Sequence, residues 1–174
     1  MIECEMRNSV KVVAAIGLAL GGVFGLVGTV VTQQSLRAAS WGIDGVGLVV
    51  ATALLALRFF GKGNDCVAAG FLVFATGEGV MLSGTAATLA ESVHSFGAGT
   101  ALWSAALLLT SVPKEFAGWI RLVSIIGAIL FAITAARIFW GEPVLPTSSP
   151  LPFFAYPFLV LTFVGWSWTL LKAA

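Results

Sequence analysis

Long apolar runs, broken by short polar punctuation, organise this chain. A helix needs about 20 apolar residues to cross the hydrocarbon core of a bilayer. Six stretches reach or approach that length: 11–32, 42–60, 66–88, 96–112, 118–140 and 152–171. Each break has a physical cause. "QQSLR" is polar, "GKGND" is a charged glycine-rich turn, and "AESVHS" sets Glu91 and His94 between the third and fourth runs. "PKE" joins a helix breaker to two charges, and "GEPVLPTSSPLP" carries too many prolines to be helical throughout. The pattern predicts an all-α, polytopic transmembrane bundle of six helices in one domain spanning 1–174. The third and fourth runs also read as one long tilted helix, which would leave five spans.

Composition agrees with the pattern. The 174 residues are 59% hydrophobic and 10% charged, with a mean hydropathy of +1.01. A soluble domain carries about 25% charged residues, so this chain cannot coat a water-facing surface, and the lipid bilayer is its expected solvent. Net charge is +1 with no basic stripe, which argues against nucleic acid as a partner. Cys4 and Cys66 form neither a CxxC pair nor a disulfide framework.

Charge also orients the bundle. With six spans, Arg7, Lys11, Arg58, Lys62, Lys114, Arg121 and Lys172 fall at one end, and Arg37 and Arg137 at the other. The positive-inside rule then puts both termini in the cytoplasm, in the inner (plasma) membrane of a bacterium, with both cysteines as free thiols on the reducing side. Five spans would erase the asymmetry. Trp41, Trp140 and Tyr156 fall at expected outer helix ends, and Trp119, Trp166 and Trp168 at inner ends, as an aromatic belt requires. The first run has acidic Glu3 and Glu5 where a signal peptide would be basic, so it reads as a retained helix. "KVVAAIGLAL" (11–20) and "RLVSIIGAIL" (121–130) echo one another, as parallel repeats of the hairpins 1–2 and 5–6 would.

Chemistry narrows to a few residues. In "FATGEGVML" (74–82), Glu78 stands between Gly77 and Gly79 in an apolar run. Counted from Cys66 it lies roughly 18 Å from the inner edge, near mid-membrane. A carboxylate there is costly unless paired, hydrated or protonated, and defaults to an ion, proton or substrate contact. The alternative is a protonated acid bonded to a carbonyl or serine, structural only. Thr85, seven residues on, would share its face. Arg137 is the candidate counter-charge. Asp44, near the outer end of the second helix, matches its depth better than Glu78 does, so an Asp44–Arg137 contact is expected, with Arg58 and Arg121 reaching to lipid phosphates. Gly17, Gly21 and Gly25, one turn apart, form a flat stripe for close helix packing within the bundle or for an interface with another subunit.

Other chemistries find no footing. Glu91 and His94, three apart, are too few for a metal site. "MLSG" (81–84) resembles the serine motif of rhomboid proteases but lacks the glycine two residues before the serine. No lysine sits within a span to hold retinal. No nucleophile–base pair is apparent, so an enzyme is the less favoured reading, with no catalytic residue, metal or cofactor expected.

The segment 96–130, "FGAGTALWSAALLLTSVPKEFAGWIRLVSIIGAIL", with its Pro113 turn and its Gly118-Trp119 helix start, resembles a hairpin of uncharacterised small bacterial multi-pass membrane proteins. That resemblance implies topology and no activity. Size and termini are also similar in outline to the substrate-binding subunits of bacterial vitamin uptake transporters, a shape analogy alone. Two functions follow as expectations: binding or translocation of a small solute or ion through a cleft near Glu78, or an accessory role in a larger complex or homo-oligomer through the glycine stripe.

Overall fold

A computed structural model of the protein describes residues 2–85 and 87–172, with side chains from residue 8 onward. Cys4, Arg7, Glu3 and Glu5 have their side chains outside the described residues. The chain forms six α-helices and, among the described residues, no strand: α1 (Ile2–Val30), α2 (Gln34–Phe60), α3 (Asp65–Ser83), α4 (Val93–Ser111), α5 (Gly118–Phe139) and α6 (Tyr156–Lys172), the last preceded by a 3-10 turn at Phe153–Ala155. Five of them are long and apolar enough to cross a membrane. The exception is α4, whose hydroxyls, glycines and Trp103 dilute its hydropathy. It is the most enclosed segment, with eleven of its nineteen residues buried. Burial against protein substitutes there for apolarity against lipid.

Boundaries moved where local chemistry overrode hydropathy. α2 begins at Gln34, eight residues before its apolar run, because nothing in "SLRAASW" breaks a helix. α3 stops at Ser83, where "SGTAATLAES" turns back on itself through Thr88, Glu91 and Ser92. The third and fourth runs are therefore two helices. The proline-rich stretch 140–152 is a loop, as its composition requires. It opens at Gly141 with φ +92°, a conformation that favours glycine.

Consecutive helices joined by short turns lie antiparallel. Each packs on the next, and α6 returns against α1, closing a ring. The end that gathers Lys62, Lys114, Arg121 and Lys172 is called here the basic end. Polar bonds join neighbours where lipid offers no hydrophobic drive. Ser104 Oγ donates to Ala128 O at 2.8 Å between α4 and α5, and Ser124 Oγ meets Thr162 Oγ1 at 3.1 Å between α5 and α6.

Rings fill the centre of the bundle toward the basic end. Phe71 meets Trp166 edge-on at 4.8 Å and Phe74 stacks on Trp103 at 5.5 Å. Phe163 and Phe131 complete the contacts at 5.7 Å from Phe74 and 5.2 Å from Trp103. Trp166, expected as an interfacial anchor, is instead part of this core at 1% exposure. The α6 face that carries Gly165 and Trp166 points inward, while Trp168 faces out beneath the Lys172 ammonium, 4.7 Å from its ring.

The basic end is tied together by its turns. Lys62 pairs with Glu115 at 3.3 Å, and Asn64 Nδ2 donates to the same carboxylate, so the α2–α3 turn grips the α4–α5 turn. Arg121 does not reach away to phosphates. Its Nε donates to Ser111 O at 2.6 Å and its Nη2 to Val112 O at 3.3 Å, capping α4, because the Pro113 turn leaves those carbonyls without helical partners.

Candidate functional site

The glycine stripe of α1 is where the site begins. A Cβ added at Gly17 would lie 2.5 Å from Gly47 O and 2.8 Å from Ala51 Cβ. One added at Gly21 would collide with Leu48, one at Gly25 would sit 3.1 Å from Asp44 Oδ2, and one at Gly28 would collide with Trp41. The stripe is thus filled by α2 along its length. It packs the bundle and offers no free face to a second subunit. Its effect is to draw Asp44 inward, against a helix that has no side chain in the way. The glycines of the internal echo both face the helix that follows, but Gly127 has Phe158 Cβ only at an ordinary 3.5 Å.

Glu78 is drawn in by the same means from the other side. Gly77 faces α4, where an added Cβ would be 2.9 Å from Leu102 Cβ and 3.1 Å from Gly99 O. Gly45 of α2 faces Leu82 of α3 closely enough that a Cβ would fall 2.5 Å from its Cδ2. These contacts clamp α3 between α2 and α4 and turn Glu78 to the centre. Gly79 does none of this: it is exposed, with nothing near its missing side chain. Because α3 ends at Ser83, Glu78 is five residues, about 7.5 Å, from that end. It lies off mid-helix, toward the end opposite the basic one.

Asp44 and Glu78 line one cavity of about 80 Å³, reaching from the ring cluster toward that opposite end. Its floor includes Trp103 and Phe163, and its walls come from α1, α2, α3, α4 and α6. Asp44 is 7%, Glu78 3% and Trp103 5% exposed. Asp44 Oδ1, Glu78 Oε2 and Trp103 Nε1 each lack a hydrogen-bond partner. The two carboxyls are near enough to repel when both are charged. Tyr156, also on the cavity, donates its hydroxyl to Pro146 O at 2.7 Å, which holds the proline loop over the opposite end. A burial this complete without partners is unusual in a finished core.

The expected partners arrange themselves differently. Arg137 does not contact Asp44. Its Nη2 and Nε both bind Glu142 Oε2 at 2.7 Å, because the turn after α5 folds Glu142 back onto the helix end. Thr85 does line the cavity, but from the turn after α3 and not from a shared helical face, and its hydroxyl donates to Leu82 O at 2.8 Å. Glu91 and His94 do not converge either. Glu91 Oε2 accepts Thr88 N–H at 2.9 Å and Thr88 Oγ1–H at 2.8 Å. The backbone bond first, and the hydroxyl second, hold this carboxylate below its ordinary range. His94 is exposed in the first turn of α4. Among the described residues, no three His, Cys, Asp or Glu side chains come together as a metal set.

Sequence reasoning selected Glu78 and Asp44 but did not join them, and it passed over Trp103 and Tyr156 as site residues. Trp103 carried a signal, as the one tryptophan placed inside a span. No protein-family model, curated protein or solved structure matches this chain.

Proposed function

We propose that this protein is a small multi-pass membrane protein that binds a small solute or ion in the Asp44–Glu78 cavity and passes it across the bilayer, without catalysis. One observation carries the reading. Two nearly fully buried carboxyls, on different helices, line the same cavity, and each has an oxygen enclosed without a hydrogen-bond partner. An acid kept only for structure would be bonded to a carbonyl or a hydroxyl, whereas these carboxyls are left incompletely satisfied beside a space that a ligand can fill. Thr85, Ser92 and Ser95 add hydroxyls to the lining. The charge asymmetry supports placing the basic end and both termini in the cytoplasm, in a bacterial inner membrane. The accessory-subunit reading has less to stand on, since the glycine stripe it needed is occupied by α2.

Native mass spectrometry of the protein, gently extracted from its own membrane, tests this. A bound small molecule or ion in the wild type that is lost in Glu78→Gln is the expected result. A stoichiometric protein partner with no small ligand, unaffected by Glu78→Gln, would overturn it in favour of an accessory role.

A further inference from the structure

Resting on that reading, the cavity also specifies the chemistry of its occupant. Two carboxyls against one partnerless N–H, that of Trp103, leave the cavity with more acceptor than donor capacity, so the matching group is a donor. Among the described residues lining the cavity none is basic, and its titratable members are Asp44 from α2, Glu78 from α3 and Tyr156 from α6. α1 contributes glycines, Leu26 and Thr29, α4 contributes Ser92, Ser95, Phe96 and Trp103, and α5 contributes nothing. Arg137, the basic residue at that end of α5, is neutralised by Glu142. Arg37 of α2 turns away to donate to Val31 O at 2.6 Å, with its guanidinium over Trp41. No protein cation therefore balances the carboxyls within the cavity.

The rest of the wall is carbon. Leu48, Met81, Leu82, Leu159, Val160 and Phe163 surround the polar end. A bare divalent ion would need about six or more oxygens, and charged oxygen comes here from Asp44 and Glu78 alone, in a lining that is otherwise largely carbon. An apolar, partly aromatic wall beside paired carboxyls suits an organic cation, whose charge meets the carboxyls and whose carbon meets the wall.

We propose that the cavity is a receptor for small primary amines in their ammonium form. The –NH3+ head donates to the Asp44 and Glu78 carboxyls, and the hydrocarbon part lies against Trp41, Phe96, Trp103 and Phe163. Each carboxyl carries a proton or faces a positive charge, since the site offers no other neutralisation. Binding then exchanges one cation for one proton: R–NH3+ enters, one carboxyl O–H breaks, its proton leaves to solvent, and the second carboxyl keeps its own. No bond to carbon or nitrogen changes and no redox partner is needed.

The test titrates the purified full chain in lipid nanodiscs with butylammonium chloride, 1-butanol and sodium chloride at pH 7, following heat and, in weak buffer, released protons. Butylammonium should bind saturably with about one proton released per molecule bound. Butanol, the same shape without charge, should bind at least about tenfold more weakly, because a charged donor to a buried acceptor is what it lacks. Asp44→Asn and Glu78→Gln should each reduce butylammonium affinity about tenfold or more, and the double variant should abolish proton release. Equal binding of butanol and butylammonium, or binding without proton release, overturns the proposal. If either variant fails to fold, the wild-type ammonium–alcohol comparison decides alone. A neutral molecule co-purifying with wild type and lost in Glu78→Gln would sink the amine assignment and leave the binding function standing. No small ligand in either experiment would sink both.

Discussion

Gly17→Ala is the sharpest probe of the packing that builds the site. The new Cβ would lie 2.5 Å from Gly47 O and 2.8 Å from Ala51 Cβ, where ordinary contact begins at 3.4 Å. The first obstacle is a helix backbone, which cannot rotate aside as a leucine tip can. α1 and α2 must part by roughly the 0.9 Å difference between those two distances. A gap of 0.5–1 Å forfeits about a quarter to a half of each dispersion contact across the seam. Overpacking of this kind costs about 1–3 kcal/mol, offset by up to about 1 kcal/mol because alanine is the better helix former. The net expectation is a destabilisation of about 1–2 kcal/mol. Gly22→Ala is the matched control on the same helix, since its Cβ would meet nothing nearer than Val160 Cγ1 at 3.6 Å. It should be neutral or stabilising by up to about 1 kcal/mol. Equilibrium unfolding of both variants in mixed micelles against SDS mole fraction measures the difference. If the two variants unfold together, α1 is not seated on α2 as described, and the glycine stripe is free for another partner after all.

Other consequences are open to direct measurement. Ser104→Ala removes the bond to Ala128 O between two buried surfaces and should cost about 0.5–1.5 kcal/mol in the same unfolding assay. Glu91 should titrate below its ordinary value of 4.5, seen as the carboxyl carbon shift by NMR. Its contribution to the turn it makes with Thr88 should be complete above 4.5 and lost as pH falls through the lowered folded-state value, and in Thr88→Ala, which keeps the backbone N–H and removes the hydroxyl, the lowering should shrink without disappearing. Cys66 is a free, exposed thiol at the start of α3. In cells whose outer membrane has been permeabilised, a membrane-impermeant maleimide should fail to label it until the inner membrane is also opened, and immediate labelling would overturn the proposed orientation.

Helix number and order were legible because lipid imposes one dominant rule, an apolar run of fixed length, and this sequence obeys it in five of six segments. The ends were less legible. Gln34–Trp41 is polar yet helical because tertiary contact and the absence of breakers outweigh hydropathy. Gly84, Thr85, Ala87 and Thr88 continue the run in sequence, but they lie in turns beyond the end of α3, with Glu91 bonded back to Thr88. Within the site, Glu78 and Asp44 stood out because charge in an apolar run is expensive wherever it occurs. Their pairing was not readable, since it depends on the rotational setting of α2 against α3, fixed by Gly45 against Leu82 and Gly25 against Asp44. Depth alone nominated Arg137 for Asp44, and depth carries no angular information. Glu142, five residues on and folded back through the turn after α5, took that arginine.

The ring cluster of Phe71, Phe74, Trp103 and Trp166 divides the bundle along its axis. Above it is a vessel with acidic walls, and below it, toward the basic end, is a separate hollow of about 120 Å³ among Arg58, Lys62, Phe71, Glu115 and Trp166. Anything that enters this conformation meets a closed bottom. A cycle that delivers cargo to the basic end must therefore have a second state in which these rings have swung apart, and the resting molecule is a cup that has still to be tipped.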